Sequence, residues 1–153
     1  MPRPARLRAQ GATPAHSRGA TLEVVIPQGL EWHYEQWHLS PLVVHEGLGL
    51  ISGVTGTRED GTCADDPEVE FAEAFDKLGH VLGAGGMGFG DILEMTTFHI
   101  DLRAHLDVFR HVRDHYLVEP WPAWSAIGTT ELAVPGPRLE IKVVCRAPGQ
   151  VGR

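Results

Sequence analysis

SPLVVHEGLGLISGVTG, residues 40–56, is the stretch that decides the fold of this chain. Two short apolar runs, 42–44 and 48–51, flank a turn at His45-Glu46-Gly47. Aliphatic residues bounded by Pro, Gly and Ser predict a β-hairpin. The second strand ends at Ser52-Gly53, where glycine lets the backbone turn and leaves the hydroxyl exposed. Ser52 is therefore either a turn residue or a polar anchor in a cleft.

Two amphipathic helices are predicted after the hairpin. The first begins at Asp66-Pro67, an acid that can cap followed by proline at the first helical position. Gly83 and Gly85 end it. The second helix spans Asp101 to Tyr116. Each helix has one apolar stripe at helical spacing, formed in the first by Phe71, Phe75, Leu78 and Leu82 and in the second by Leu102, Leu106, Phe109, Val112 and Tyr116.

The stretch Leu30 to Leu39 is predicted to be a strand. Its aromatic residues alternate with His and Glu, so that Trp32 and Tyr34 share one face while His33 and Trp37 share the other. Neither face is wholly apolar. We interpret this strand as either a packed aromatic edge or one wall of a cleft.

Further strands are predicted at Leu22–Ile26, at Asp91–Ile100, after Trp121, and at Leu139–Cys145. The order of strands, helix, strand, helix and two strands predicts an α+β fold with two helices on one face of a mixed sheet. Apolar residues on the other face need a cover, and self-association provides it.

Length and composition indicate one domain with enough apolar residues (42%) to bury a core. Residues 1–20 hold four arginines and no acid, so the body carries 9 basic and 20 acidic residues. An acidic body argues against nucleic-acid binding. No run of 18 apolar residues is present, and the distant Cys63 and Cys145 indicate a reducing compartment, for which we expect the cytoplasm.

The domain boundaries follow from composition. Residues 1–20 are rich in Arg, Ala, Pro and Gly, and we interpret them as a disordered tail, although a transit peptide or a misassigned start codon would also fit. Residues 21–147 form the single domain, and residues 148–153 form a C-terminal tail.

Two motifs are rejected as cofactor or metal sites. Residues 83–88 match G-x-G-x-x-G, but they follow a predicted helix and precede a strand, which is the reverse of a dinucleotide fingerprint. His111 and His115 lie one helical turn apart, with Asp107 a turn before them, which is a spacing that could hold zinc. Solvated histidines are the preferred interpretation, and no metal or cofactor is expected.

Several segments together resemble one known family. They are residues 40–56, Gly90–Leu93, Thr97–Leu102, Trp121–Ala123 and Leu139–Ile141. In this order they are similar to the Rid family, also called YjgF-like or L-PSP endoribonuclease-like, whose best-known members are reactive enamine/imine deaminases. The resemblance runs from about Ser40 to Arg146. It implies a chorismate mutase-like fold and a homotrimer with three clefts between neighbouring subunits.

The resemblance also implies two catalytic residues. Ser52 matches the serine that ends the second hairpin strand, and Glu140 matches the glutamate that positions the attacking water. From the residues alone, Glu140 could equally be a solvated acid beside Lys142 on an open sheet face.

The chain departs from the family at the substrate-binding positions. Deaminating members grip the substrate carboxylate with an arginine after Pro-Ala, where this chain has Trp124. Indole offers one N–H and no charge, so the bidentate grip is lost. The family's cleft tyrosine and cysteine match Leu42 and Ala126. Strand parity places Trp37, His33 and His99 near the same cleft, which then suits a larger, less anionic or aromatic ligand.

Three functions remain after this comparison. The preferred one is an enzyme that hydrolyses an imine, enamine or related small metabolite other than a 2-aminoacrylate-type substrate, with Glu140 as general base or water positioner and Ser52 holding the substrate. The alternative is a homotrimer that binds a small metabolite without turnover. The least favoured is an endoribonuclease or translation inhibitor, because the body is acidic. No membrane partner is expected.

Overall fold

The computed structural model describes residues 6–8 and 22–149, with side chains for 22–149. One mixed sheet of seven strands runs in the order β1-β2-β3-β4-β7-β5-β6. Its strands are β1 (Arg6–Arg8), β2 (Glu23–Val25), β3 (Leu42–His45), β4 (Leu48–Thr55), β5 (Ile92–His99), β6 (Ala123–Gly128) and β7 (Leu139–Arg146). The helices are α1 (Glu31–Trp37), α2 (Pro67–Ala84) and α3 (Leu102–Tyr116), with a 3-10 turn at Phe89–Asp91. The predicted α+β class is confirmed.

The hairpin at residues 40–56 forms as predicted. β3 and β4 pair antiparallel, with Leu42 opposite Ile51 and His45 opposite Leu48. The turn between them places Glu46 and Gly47 at positive φ, which glycine adopts without strain. β4 continues beyond β3, so its last residues face α1 on that side, and β7 pairs along its other side.

α2 and α3 pack against one face of the sheet, as their apolar stripes predict. Asp66 caps α2 by accepting a hydrogen bond from the Glu68 amide at 2.9 Å, and Gly85 follows the last helical residue. All four stripe residues of α2 are buried, whereas in α3 only Phe109 and Val112 are fully so. The glycine-rich segment 83–88 joins helix to strand through the 3-10 turn, in the order that argued against a nucleotide fingerprint.

The predicted strand at Leu30–Leu39 is wrong, because the structure has helix α1 there. The Glu31 carboxylate accepts a hydrogen bond from the Gly29 amide at its start, and His38 ends the helix in a left-handed conformation. No residue of α1 is fully buried. A helix that buries no stripe leaves no 3.6-residue pattern in the sequence, so the chance alternation of its aromatic residues imitated a strand.

The two faces of the sheet differ in their cover. Alternate residues of β7, among them Ile141 and Val143, are buried beneath the helices, while Glu140 and Lys142 point to the opposite, open face. That open face carries exposed apolar side chains at Leu48 and Leu50 (42% each) and at Ile127 (43%).

The tails lie largely outside the described residues. The prediction of a disordered tail at 1–20 can be compared only at Arg6–Arg8, which forms a strand parallel to β2. In the C-terminal tail, only residues 148 and 149 are described. Within the described part of the chain, no helix is long and apolar enough to cross a membrane.

Candidate functional site

Glu140 lies at the centre of the open sheet face. β7 places it between Thr55 of β4 and Phe98 of β5, and Ile127 of β6 continues the same row. A register irregularity in β4 between Ile51 and Val54 brings Gly53 under the Glu140 side chain. A Cβ atom added at Gly53 would lie 2.5 Å from the Glu140 carboxyl carbon. The carboxyl group therefore occupies space that only glycine leaves open.

The Glu140 carboxylate is half-buried and makes no hydrogen bond or ion pair to any residue in 22–149. Lys142, two residues along the same face, does not pair with it, so the solvated Glu140–Lys142 pair does not form. Burial raises the pKa of the Glu140 carboxyl, because a low-dielectric environment disfavours its charged form. A carboxylate with unused acceptor sites and raised basicity can take a proton from water.

A small pocket adjoins Gly53, between β4, α1 and α2. Its volume is about 50 Å³, which admits a carboxylate-sized group but not a whole metabolite. No Asp or Glu lines it. The lining residues are Leu30, His33, Leu39, Pro41, Ser52, Gly53, Val54, Thr55, Lys77 and Val81.

Lys77 and His33 supply the nitrogen atoms of this pocket. The Lys77 ammonium donates a hydrogen bond to the Thr57 carbonyl, and burial lowers its pKa. Burial, and then the charge of Lys77, lower the pKa of His33, while a backbone interaction with Leu30 raises it. The Nδ1 atom of His33 is buried and makes no hydrogen bond of good geometry within residues 22–149. Both side chains are partly desolvated in a pocket lined by no acidic residue of the described chain, and this disfavours their charged forms.

The Ser52 hydroxyl faces the same pocket from β4. It donates its hydrogen to the Ser40 carbonyl at 2.7 Å, so its lone pairs remain as acceptors. The Ser52 amide donates to the Pro41 carbonyl at 3.1 Å, which fixes the strand end. The structure thus brings Ser52 and His33 together in a pocket whose lining includes Gly53, the residue beside the Glu140 carboxyl group.

Trp124 lies in a different environment, on the helix-covered side of the sheet. Its indole N–H donates to the Thr97 hydroxyl at 2.9 Å, and its ring stacks on Phe109 with the centroids 5.7 Å apart. The Arg113 guanidinium lies 4.7 Å above the same ring and is itself paired with Asp114. Trp124 therefore has no free hydrogen-bond donor for a ligand.

His99 and Leu42 are fully buried, so neither side chain can contact a ligand in this fold. The Nε2 atom of His99 forms a hydrogen bond of 2.7 Å with the Thr97 hydroxyl. The imidazole ring packs edge-on against Phe109. Burial, with the charge of His105, lowers the pKa of His99 to about 4. Leu42 belongs to the hydrophobic core. The structure thus does not support these two residues as substrate-binding groups.

The remaining predicted residues lie apart. Ala126 is opposite Thr97 in the β5–β6 ladder, on the helix-covered side with Trp124. Trp37 is exposed at the end of α1, in edge contact with Trp32 at 6.0 Å. Within one chain, Glu140 and Trp124 point to opposite faces of the sheet.

Sequence reasoning missed Lys77 and Gly53. A signal for Lys77 was present, because Glu70, Ala74, Lys77 and Val81 form a second stripe on α2 at spacings of four, three and four. The other three of these residues are buried. The role of Gly53 depends on the register irregularity in β4, which no local sequence pattern predicts.

The His111–His115 pair is not completed to a metal site. His115 Nδ1 bonds to the His111 carbonyl at 2.8 Å, and His111 Nε2 lies 3.7 Å from Glu68. Among the described residues, no group of three or more His, Cys, Asp or Glu side chains could hold a metal ion.

Comparisons with known proteins place this geometry in a family context. A family model described as Endoribonuclease L-PSP matches residues 35–147. RutC family protein YjgH of Escherichia coli (strain K12) is 36% identical over 127 residues, covering 82% of this chain and 95% of that protein. A solved structure of protein YjgH matches with a TM-score of 0.77 at 35% identity, covering 84% and 98% of the two chains. RidA from the Antarctic bacterium Psychrobacter sp. matches with a TM-score of 0.66 at 23% identity, covering 71% and 87%, which shows likeness of fold.

Proposed function

This chain belongs to the endoribonuclease L-PSP family, and we propose that it hydrolyses a C=N bond in a small imine or enamine-derived metabolite, with Glu140 activating the water. The family is generally associated with small-molecule deaminase or hydrolase activity or with endoribonuclease-like activity. The observation that carries the proposal is the Glu140 carboxylate, which is half-buried, has a raised pKa and makes no hydrogen bond within residues 22–149.

The reaction balances with one water and no redox partner. Glu140 takes a proton from water as the oxygen bonds to the C=N carbon, and it passes this proton to the nitrogen, which gives a neutral carbinolamine. Glu140 then takes the proton of the new hydroxyl and passes it to the same nitrogen, so that the C–N bond breaks and ammonia leaves as the carbonyl forms. A base whose pKa is raised towards the working pH suits both steps, since it must accept and then release the proton.

Two chains are needed to bring Glu140 near Trp124, which supports the proposal of inter-subunit clefts. The open face exposes apolar side chains on both sides of β7, Leu48 and Leu50 on β4 and Ile127 on β6, and exposed apolar residues of this kind favour self-association. A trimer, as in the Rid proteins that this sequence resembles, would place the helix-covered edge of one chain against the open face of the next. Glu140, Ser52 and His33 would come from one chain, and Trp124 and Ala126 from its neighbour.

The substrate is proposed to differ from 2-aminoacrylate-type compounds. These carry a carboxylate directly on the reacting carbon and need a guanidinium at the position of Trp124. The Trp124 N–H is already donated to Thr97, and Arg113 is already paired. Loss of a charge-paired carboxylate contact costs about 2–5 kcal/mol, so small imino acids are expected to be poor substrates.

Ammonia release from imines generated in situ tests this proposal. The panel contains alanine- and serine-derived imino acids and aromatic imines without a carboxylate on the reacting carbon, both neutral and with a remote carboxylate, and wild type and Glu140→Gln are compared side by side. We expect acceleration of an imine without a carboxylate on the reacting carbon, which falls by about 10²- to 10⁴-fold in the variant, the usual range for a general base. Rapid turnover of the small imino acids would refute the substrate argument. No acceleration by a folded protein would refute the enzyme and favour metabolite binding without turnover.

A further inference from the structure

The pocket beside Gly53 contains a lysine that the proposed hydrolysis does not use. Lys77 is one of only two lysines in the chain, and it extends from α2 into a pocket of about 50 Å³ shared with His33, Ser52 and Thr55. The Rid resemblance gives no role to this position. The question is what a partly buried ammonium does there.

We propose that Lys77, with His33 beside it, binds an acidic group of the substrate that is remote from the C=N carbon. This inference rests on the proposed function, since it assigns the substrate class of the same site. The substrate would be an imine with a carboxylate several bonds from the reacting carbon. Its carboxylate would enter the pocket while its C=N carbon lies by Glu140, which adjoins the same glycine, Gly53.

The hydrogen-bonding capacity of the pocket fits an anion. An ammonium has three donors, and Lys77 uses one on the Thr57 carbonyl. His33 adds the buried and unpartnered Nδ1. Among residues 22–149, no carboxylate lines the pocket. The neighbouring acid Asp76 accepts a hydrogen bond from Tyr116, and Glu73, one turn earlier on α2, is held by Arg58 at 2.9 and 3.1 Å. The charge of Glu73 acts on Lys77, but Glu73 does not line the pocket.

The position of the pocket fits a remote acid and not an acid on the reacting carbon. Gly53 lines the pocket, and the carboxyl carbon of Glu140 lies where a Gly53 side chain would begin. The pocket and the Glu140 carboxyl group therefore both adjoin Gly53, although Glu140 does not itself line the pocket. A ligand that contacts both Lys77 and Glu140 must extend past Gly53, which favours a carboxylate several bonds from the C=N carbon. The same arrangement explains how the chain can dispense with an arginine at position 124 and still select an acid.

A structural interpretation of Lys77 predicts something different. If its ammonium only ties the Thr57 carbonyl to α2, then replacing it lowers stability and changes the binding of every ligand by a similar factor. If it binds an acid, its replacement changes the affinity for an acid and leaves that for the matching neutral amide. The ratio of the two affinities separates the interpretations.

The experiment is an NMR titration of the full chain with 3-phenylpropionate and with its neutral amide, 3-phenylpropionamide. Wild type is compared with Lys77→Met, which keeps the length of the side chain, and with Lys77→Gln, in case the first variant does not fold. Arg110→Met, an exposed residue on α3, is the control for loss of one positive charge. Glu140→Gln tests the proposed function in the same assay.

We expect wild type and Arg110→Met to bind the acid about tenfold more tightly than the amide, since a charge-assisted hydrogen bond provides a difference of this size. In both Lys77 variants the ratio falls to about one, with the amide affinity retained. An unchanged ratio in the Lys77 variants, or no preference for the acid in wild type, would overturn the assignment. Glu140→Gln should keep the ratio of the two affinities, so a loss of turnover in this variant tests only the hydrolysis. If wild type prefers the acid but hydrolyses no imine, the assignment of Lys77 stands and the proposed hydrolase is refuted.

Discussion

The surroundings of Glu140 and of Trp124 differ in how completely their polar groups are satisfied. The Glu140 region has a carboxylate without a partner in residues 22–149, a Gly53 where an added side chain would displace that carboxylate, and the Lys77 pocket. In the Trp124 region, the indole N–H and His99 Nε2 bond to the Thr97 hydroxyl, and Trp124 packs on Phe109; within residues 22–149, the group left there without a partner is the uncharged Nδ1 atom of His99. A carboxylate without a partner costs more stability than a neutral ring nitrogen and is retained where chemistry needs it. We therefore assign the proposed reaction to the Glu140 region and the shaping of the binding cleft to the Trp124 region.

The largest expected effect is acid lability of the Trp124 region through His99. The folded pKa of His99 is about 4, below its unfolded value of about 6.5. The unfolded state binds more protons between these values, so His99 stabilises the fold above pH 6.5 and this contribution is lost as pH falls towards 4. The loss amounts to roughly 3 kcal/mol. Denaturant unfolding between pH 7 and 4 should show a shallower pH slope in His99→Gln than in wild type, and equal slopes would contradict the prediction.

Thr97→Val should destabilise the protein by about 2 kcal/mol without changing ligand binding. The hydroxyl serves both His99 and the Trp124 N–H, and removing it leaves buried polar groups without a partner, at a cost of about 1–3 kcal/mol each. Thr96→Val on the same strand, where the side chain makes no hydrogen bond within 22–149, is the control and should stay within about 0.5 kcal/mol of wild type. Equal effects of the two variants in urea unfolding would be inconsistent with this arrangement.

Gly53→Ala should have the opposite profile, with lower activity and nearly unchanged stability. The new methyl group would meet the Glu140 carboxyl at 2.5 Å, and this flexible side chain can move away at little cost. Displacing a catalytic group by about 1 Å costs on the order of 10²-fold in rate. Gly83→Ala, where an added Cβ meets nothing within 4 Å, is the matched control. Ammonia release and thermal unfolding of both variants check this prediction, and an active Gly53→Ala would contradict it.

The smallest expected effect concerns the stability cost of Glu140 itself. Burial raises its folded pKa above the unfolded value, so the folded state binds more protons. Its favourable contribution is present below the unfolded pKa and is lost as pH rises through the folded pKa. Glu140→Gln should therefore unfold at a slightly higher temperature than wild type at pH 7, and the difference should shrink towards pH 4. A variant less stable than wild type at pH 7 would indicate that the carboxylate has a structural role.

Elements that bury a stripe were predictable from the sequence. The hairpin, α2 and α3 follow from apolar periodicity and from local signals such as Asp66-Pro67 and Gly85, all of which act within a few residues. α1 was not predictable, since it buries no residue. The position of β7 between β4 and β5 depends on pairing across more than 80 residues of chain, which no local pattern encodes.

The position of Glu140 was predictable, and the layout of the proposed site was not. Glu140 alternates with the buried Leu139 and Ile141, so its place on the open face follows from strand parity. Leu42 was assigned to the cleft by the Rid resemblance alone, and its burial in the core depends on tertiary packing that no local pattern gives. The partial burial of Lys77 could be predicted only from the second stripe of α2. Two of the four residues in that stripe, Glu70 and Lys77, are charged, so the stripe resembles an ordinary polar helix surface.

Association of chains tests the central claim that one chain holds only part of the site. Sedimentation equilibrium of wild type and of Leu50→Asp should be measured together with ammonia release. Leu50 lies on the open face opposite Val144, so an aspartate there should prevent association while the single chain stays folded. We predict a trimer with activity for wild type and an inactive monomer for the variant. A folded monomeric variant that retains full activity would contradict the account.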